Sequence, residues 1–515
     1  MASDTQANNK RIAKNTLMLY FRMVFLMLIS LYTSRVVLNA LGVEDYGVYN
    51  AVGGVVAMFS LVSNSLTSSI SRFITFELGR GNMEKLKRVF STSVSIQLGI
   101  SVIFILLAES IGLWFLNSQM NIPGDRMVAA NWVLHFSIFT FVVNLISIPY
   151  NAAIIAHERM SAFAYVSILE AVFKLLNAYL ITVSPIDRLI FYAALHLAVA
   201  IIIRLVYGIY CKSKFAECSY HFIVDKPLIK EMGAFAGWGF LGSTAYLLNT
   251  QGVNILMNIF FGVTVNAARG IAVQVNAAVT QFINNFTTAV NPQITKSYAS
   301  GDLDYMHKLI CRSAKFSSYL MFLFAIPLVL ESQTVLDIWL KNPPPYSSIF
   351  LRLTLLGTFV DNALANCLVV SVQATGRIRR YQTFVASCGV GVFVFSFIAF
   401  ALGCPPESAY IIWFLIYSLL LYVRLYILKD MIKLTPMEYF REVVCVIVPV
   451  LAVSVVLPLV VHLIMNPGFI RLLCVCVVSI PITLITSYVL GMTVNERTFI
   501  RDKVLSHVLK KLKRK

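Results

Sequence analysis

Hydrophobic stretches of membrane-spanning length alternate with short polar gaps from one end of the chain to the other. Fourteen can be read, at 16–40, 47–76, 90–116, 128–154, 162–184, 188–211, 233–260, 263–293, 309–330, 348–372, 382–403, 407–430, 443–464 and 470–491. A helix crossing a bilayer needs about 20 largely apolar residues, and each stretch meets that length. The pattern predicts an all-α polytopic membrane protein with about 14 transmembrane helices. No gap offers room for a folded soluble domain: the longest, Cys211 to Met232, is short.

The polar gaps are not equivalent. Thirty of the 42 Lys and Arg residues lie in alternate gaps. These gaps are the N-terminal tail (Lys10, Arg11, Lys14), Arg80 to Arg88, Arg159, Lys212 to Lys230, Lys296 to Lys315, Arg377 to Arg380, Lys429 to Arg441 and the tail from Arg497. The intervening gaps carry only Arg126, Arg188, Lys341 and Arg471. Short loops rich in Lys and Arg stay cytoplasmic, so the alternation predicts an even number of spans with both termini in the cytoplasm, as in a multi-pass protein of a bacterial inner membrane.

Composition agrees: 58% of residues are hydrophobic, 13% are charged, and mean hydropathy is +0.77. The net charge of +18 would suit a nucleic-acid binder, but the basic residues sit beside membrane spans and face anionic lipid instead. Membrane lipid is therefore an expected partner and nucleic acid is not. The nine cysteines show no paired extracellular spacing, and the seven histidines form no metal-ligand pair. Neither disulfides, a metal nor a cofactor is expected. The polar start, followed by a long first span without a small-residue cleavage site, argues against a removed signal peptide. The tail Val504 to Lys515 alternates apolar and basic residues, as a segment lying on the inner membrane surface would.

A shift of 220 residues aligns the chain with itself. Gly42-Val43 falls on Gly262-Val263, Asn64 on Asn284, Thr67 on Thr287, Ile74-Thr75 on Ile294-Thr295 and Gly81 on Gly301. Six spans separate the copies, so both have the same orientation, and parallel repeats build two lobes with a substrate path between them. The implied division is 1–212 and 213–435 as six-helix lobes, 436–492 as two additional helices, and 493–515 as a basic cytoplasmic tail.

The second span of each lobe is unusually polar. Tyr46, Asn50, Ser60, Asn64, Thr67 and Ser71 form one stripe, and Asn266, Arg269, Asn276, Thr280, Asn284, Thr287 and Asn291 form the other. The seventh span adds Thr250, Gln251, Asn254 and Asn258. Small polar residues also glue transmembrane helices together, but so many amides in corresponding positions favour a wet cavity lined by spans 1, 2, 7 and 8.

Eight basic residues lie inside the spans: Arg22, Arg35, Arg72, Lys174, Arg204, Arg269, Arg352 and Arg424. An Arg at the bilayer centre costs ~3 kcal/mol or more and normally faces a cavity or a partner. Lys174 sits four residues after Glu170, a favourable ion-pair spacing. Arg352 is placed to snorkel, and Arg72 is poised between snorkelling and function. Arg22, Arg35 and Arg269 are the sharper candidates. Arg22 and Arg35 lie roughly 140° apart around a straight helix, so both face one cavity only if the first span bends. Asp361 and Glu170 are the carboxylates able to pair with an Arg or to carry a coupling ion.

Three segments resemble the polysaccharide-transport (Wzx-type) flippases of the superfamily that also holds the MATE exporters and the MurJ lipid II flippases. They are Leu41-Gly-Val-Glu-Asp-Tyr-Gly-Val-Tyr49, the span ending Ser71-Arg72-Phe73 with Gly79-Arg-Gly-Asn-Met-Glu-Lys-Leu86 after it, and Gln373-Ala-Thr-Gly-Arg-Ile-Arg-Arg-Tyr-Gln382. The resemblance covers about residues 10–435. It implies two six-helix bundles in a V around a cationic cavity, with two extra C-terminal helices, and transfer of an undecaprenyl-diphosphate-linked oligosaccharide to the outer leaflet. It also implies substrate-contacting Arg in spans 1 and 8, here Arg22 or Arg35, and Arg269. Contact with glycan polymerase or ligase machinery fits the same role. The 220-residue offset puts Tyr49 opposite Arg269, so the site would be asymmetric.

Chemistry points the same way. Guanidinium groups match phosphate in a bidentate geometry and stay charged, while amides and hydroxyls suit a sugar. The cavity candidates are therefore Arg22, Arg35, Arg72, Asn64, Asn254, Arg269, Asn276 and Asn284, with Asp361 and Glu170 as coupling candidates. A MATE-like cation-coupled drug or metabolite antiporter would favour carboxylates in the cavity, and a MurJ-like lipid II flippase remains open within the same class. A glycan polymerase or ligase would need large outer loops, which this chain lacks, so no catalytic residue is expected.

Overall fold

The computed structural model describes residues 2–57, 60–118, 122–184, 186–223, 225–340 and 342–500. Lys341 and the tail 501–515 lie outside them, as do the side chains of Arg35, Tyr46, Asn50, Ser60 and Asn266. The described residues are helical almost throughout, with no strand. In chain order the helices are α1 Ala2–Ala57, α2 Ser60–Arg80, α3 Met83–Leu107, α4 Leu113–Ser118, α5 Met127–Ala156, α6 Met160–Leu180, α7 Arg188–Lys214, α8 Lys226–Leu247 and α9 Val253–Ala299. They continue as α10 Leu303–Leu330, α11 Ser332–Leu340, α12 Ser347–Thr358, α13 Asn366–Thr375 and α14 Arg379–Ala401. The last are α15 Ser408–Ile432, α16 Pro436–Tyr439, α17 Cys445–Ile464, α18 Phe469–Thr486 and α19 Val494–Ile500.

Eleven helical segments are long and apolar enough to cross a membrane. The remaining three expected spans, 47–76, 233–260 and 263–293, are helical along their described residues but are not among these eleven; residues 58 and 59 of the first lie outside the described residues. They are the three with the polar stripes. An amide in a helix lowers hydropathy without breaking the backbone ladder, so polarity and helicity part company here.

Two glycine pairs punctuate the fold. Gly42 interrupts α1 at φ 82°, ψ 170°, and Gly262 interrupts α9 at φ 79°, ψ −176°. Gly81 and Gly301, each just past a helix end, have φ 72° and 79°. Both pairs are the ones aligned by the 220-residue offset. The conformation of Gly42 and Gly262 is one that only glycine adopts without cost. A Cβ at either would meet nothing within 4 Å, so any penalty there is conformational and not steric. Gly262→Ala is expected to destabilise the protein by about 1–3 kcal/mol. Gly270→Ala serves as the control: that glycine is helical, with open space around it. Thermal unfolding in detergent should fall for the first and stay level or rise for the second; equal melting temperatures would refute the assignment.

The chain divides into two compact units. The first comprises Met1–Thr244, Thr288–Asp302 and Gly376–Gln382. Its core gathers Val52 from α1, Ala130, Val133, Leu134 and Ile138 from α5, and Leu189 from α7. The second comprises Ala245–Thr287, Leu303–Thr375 and Thr383–Lys515. Met257, Ile283, Phe350, Leu351 and Leu420 form its centre. Thus 213–244 falls with the first unit and 436–492 with the second. Helix α9 contributes to both, since its last turns belong to the first unit.

Candidate functional site

The second unit concentrates its polar groups around two π-helical segments, Leu248–Gly252 and Phe359–Leu364. A π turn inserts an extra residue into the helical ladder and re-aims the side chains beside it, which is why such turns recur at functional sites. Asn249, in the first, donates to the Tyr417 hydroxyl at 3.2 Å. The next carbonyl, Thr250 O, accepts from Arg269 Nη2 at 2.9 Å. In the second segment Asp361 lies 3.4 Å from the Arg424 guanidinium, and Asn362 donates to Asn284 Oδ1 at 3.5 Å. Asn366 reaches Thr287 Oγ1 at the same distance.

Arg269 is half-buried, with its guanidinium carbon 5.7 Å from the Tyr410 ring centre. The carbonyl and the ring hold the side chain, and a guanidinium has five N–H donors, so one bond leaves capacity for a ligand. Asn276 lies two turns further along α9, and its Oδ1 is buried without a hydrogen-bond partner. Asn254 is half-buried at the start of the same helix. Arg269, Asn276 and Asn284 therefore follow α9, whereas Asp361 is held by Arg424.

In the first unit the basic candidates rest on aromatic rings. The Arg22 guanidinium lies 4.5 Å from the Phe163 ring centre, and its Nε is buried without a hydrogen-bond partner. Arg72 packs over Phe73 and Phe76 at 4.5 and 4.7 Å, beside Gly376 at φ 76°; a Cβ there would come within 2.5 Å of Arg72 Nη2. Cation–π contact of this kind stabilises a desolvated guanidinium without neutralising it. Asn64 is exposed, and Lys174 pairs with Glu170 at 2.5 Å. Between Arg22 and Arg35 α1 has no break; its interruption comes later, at Gly42. Tyr49, the positional counterpart of Arg269, lines a cavity of about 210 Å³ with Thr140, Asn144 and His196.

One residue passed over in the sequence organises the first unit. Glu158, in the turn after α5, is fully buried with φ 57°. Its carboxylate takes Arg11 Nε at 2.6 Å, Lys296 Nζ at 2.7 Å and Gln293 Nε2 at 2.7 Å, and its carbonyl accepts from Asn15 at 3.0 Å. It thereby ties the start of the chain to the last turns of α9. A lone acid inside an otherwise basic gap was the available signal.

Three of the four basic residues of the sparsely charged gaps are also accounted for, Lys341 lying outside the described residues. Arg126 bridges Asp45 and Asp187, Arg188 donates to Ala40 O at 3.2 Å, and Arg471 pairs with Glu331 at 2.8 Å. Burial alone would raise the Asp187 carboxyl, but the Arg126 bond and the amides of Ile190 and Leu189 hold it below the usual carboxylate value. Arg126, Arg188 and Arg471 are thus structural cations with partners of their own.

Known proteins share this architecture. A family model described as MatE matches residues 19–180. A crystal structure of MATE in complex with MaL6 superposes with a TM-score of 0.71 at 11% identity, over 83% of this chain and 96% of that one. The fold is that of the MATE transporters. A MOP superfamily transporter from Pyrococcus furiosus, described as "Reverse polarity of binding pocket suggests different function", gives 0.67 at 13% identity, over 83% and 96% of the two chains. An outward-facing multidrug resistance MATE family transporter gives 0.66 at 13% over the same shares. In sequence, the chain is 20% identical over 323 residues to "Uncharacterized membrane protein EpsK" of Bacillus subtilis (strain 168). That match spans 62% of this chain and 63% of the relative's length, under two thirds of it.

Proposed function

We propose that this protein is a flippase. It moves an undecaprenyl-diphosphate-linked oligosaccharide from the cytoplasmic to the outer leaflet of a bacterial inner membrane by alternating access. The carrying observation is Arg269: a half-buried guanidinium, tethered to a carbonyl exposed by a π turn, on a helix that also presents Asn276 and Asn284. A fixed cation suits the diphosphate, amides suit sugar hydroxyls, and the polyprenyl tail can remain in lipid. Arg22, on Phe163, is a second phosphate-binding candidate. The alternation of basic gaps supports cytoplasmic termini.

The test is surface glycan in a deletion strain complemented with variants. Arg269→Ala should lose most of the export with normal membrane insertion, and Arg269→Lys should retain part of it because charge survives while the fork geometry does not. Wild-type export by Arg269→Ala would end the proposal. Ethidium efflux with unchanged surface glycan would favour a drug antiporter on the same fold. Restored growth on depletion of the lipid II flippase would favour the peptidoglycan precursor as cargo.

A further inference from the structure

The 220-residue offset sets Tyr49 against Arg269, and the two positions are built alike around different groups. The same offset puts Arg204-Leu205 of α7 on Arg424-Leu425 of α15, so those helices are counterparts as well. A tyrosine stands near the start of each. In the second unit the Arg269 guanidinium carbon lies 5.7 Å from the ring centre of Tyr410 on α15. In the first, Tyr192 on α7 packs against Tyr49 with ring centroids 4.9 Å apart. A cation–aromatic contact in one copy is thus an aromatic pair in the other.

Beside Tyr49 lies the cavity of about 210 Å³. Helices α1, α5 and α7 wall it, each through residues three and four apart on one face. The Tyr49 and Phe141 rings give it aromatic walls, and Ser137, Thr140, Asn144 and His196 add polar groups. Thr140 donates to Phe136 O at 2.7 Å and so offers its oxygen as an acceptor, while the Asn144 amide offers both a donor and an acceptor. His196 stands edge-on to Tyr49 and Tyr192, at 6.0 and 4.5 Å between centroids, and its Nδ1 is buried without a hydrogen-bond partner. Gly53 keeps the space open: its backbone is helical, and a Cβ there would meet nothing within 4 Å. Among the described residues lining the cavity there is no Asp, Glu, Lys or Arg.

These features select a ligand class. A diphosphate or an organic cation would find no counter-charge in this cavity. An acyl chain would strand the polar side chains, at about 1–3 kcal/mol for each group left unsatisfied. A pyranose suits both kinds of wall, because its C–H faces pack on aromatic rings while its hydroxyls donate and accept at the edges. The volume agrees, since it falls below the ~300–1,000 Å³ of sites that enclose a whole drug-sized ligand. We propose that this cavity is a subsite for one uncharged sugar ring. Its role in transport rests on the flippase reading: the copy of the repeat that carries Arg269 takes phosphate, and the copy that carries Tyr49 takes a sugar of the same cargo. Sugar binding itself does not depend on that reading.

Binding is read by saturation-transfer NMR on the full chain, in a detergent without a sugar headgroup. The probes are the methyl glycosides of glucose, galactose, mannose and N-acetylglucosamine. At least one should bind, and its signal should vanish in Tyr49→Ala and persist in Tyr49→Phe. It should also vanish in Gly53→Leu, which fills the space and removes no group. Gly99→Leu, at another helical glycine with open space around it, controls for the added side chain and should bind as wild type does. In the complemented deletion strain, Gly53→Leu and Tyr49→Ala should each export roughly tenfold less glycan at equal membrane levels, about what one ring contact and one hydrogen bond contribute. Where Gly53→Leu does not fold, Tyr49→Ala against Tyr49→Phe decides. No Tyr49-dependent binding of any probe, or wild-type export from Tyr49→Ala, overturns the proposal. If the wild-type chain restores no glycan yet binds a glycoside through Tyr49, the flippase reading falls and the sugar site stands.

Discussion

Glu158→Ala is expected to destabilise the protein by about 3–5 kcal/mol, the cost of leaving buried charges without their partner. Lys296 retains only 21% exposure and Gln293 is buried, so neither can turn to water when the carboxylate goes. Arg11, at 45% exposure, can be rehydrated and should matter least. Glu158→Gln is the informative comparison: it keeps an acceptor for Gln293 but removes the charge, so its loss should fall between wild type and alanine. Because φ is 57°, Glu158→Gly would relieve backbone strain while losing the carboxylate. Thermal unfolding of the four proteins should rank wild type, Gln, Gly, then Ala, the last two differing by the backbone strain alone. A glycine variant as stable as wild type would show that strain, and not charge, dominates the position.

The second large effect concerns the added helices α17 and α18. Glu331, between α10 and α11, is fully buried and receives Arg471 at 2.8 Å, His462 at 2.7 Å and Thr334 Oγ1 at 2.7 Å. At the other end of the pair, Glu496 meets Arg312 at 3.0 Å, and Tyr319 donates to Gly491 O at 2.8 Å. The two helices are therefore pinned to α10 at both ends. Glu331→Ala should cost about 3–5 kcal/mol by stranding Arg471. Burial alone would raise the Glu331 carboxyl, but the bonds from His462, Thr334 and Arg471 hold it below the usual value. A depressed carboxyl contributes stability that is present above its unfolded value of about 4.3 and is lost as pH falls through the lower folded value. Melting temperature should thus drop on acidification below about pH 4 in the wild type, with a smaller share of that drop in Glu331→Gln. Identical acid profiles would refute the assignment.

The parts legible in sequence were those written in local periodicity. Fourteen spans were read from hydropathy, and eleven of them coincide with helices long and apolar enough to cross a membrane, because a bilayer imposes a length on any helix that crosses it. The pairs Gly42/Gly262 and Gly81/Gly301 surfaced as identities at one offset, and each pair shares a backbone conformation that favours glycine. Lys174–Glu170 was readable because four residues bring two side chains onto one helix face. The candidate site was legible only as a composition: amides and Arg on α9, with no indication of which would be tethered and which left open.

What lay beyond reach was every contact made across the fold. Asp361 and Arg424 are 63 positions apart, Glu158 and Lys296 are 138, and Asn249 and Tyr417 are 168. No periodicity links such residues, since their meeting depends on which helix packs beside which. The π turns at Glu109, Thr250 and Asp361 are likewise invisible in the pattern, because an inserted residue in a helix is stabilised by its neighbours and not by its own propensity. Sequence was enough for a polytopic helical membrane protein, for the alternation of its basic gaps and for the glycine identities of its repeat, since the first two follow from a chain meeting a bilayer and the third from local backbone geometry. The packing of one helix on another makes Glu158 and Glu331 clamps and sets Arg424 against Asp361. A buried charge takes its role from whatever faces it, and in this chain that partner comes from another helix.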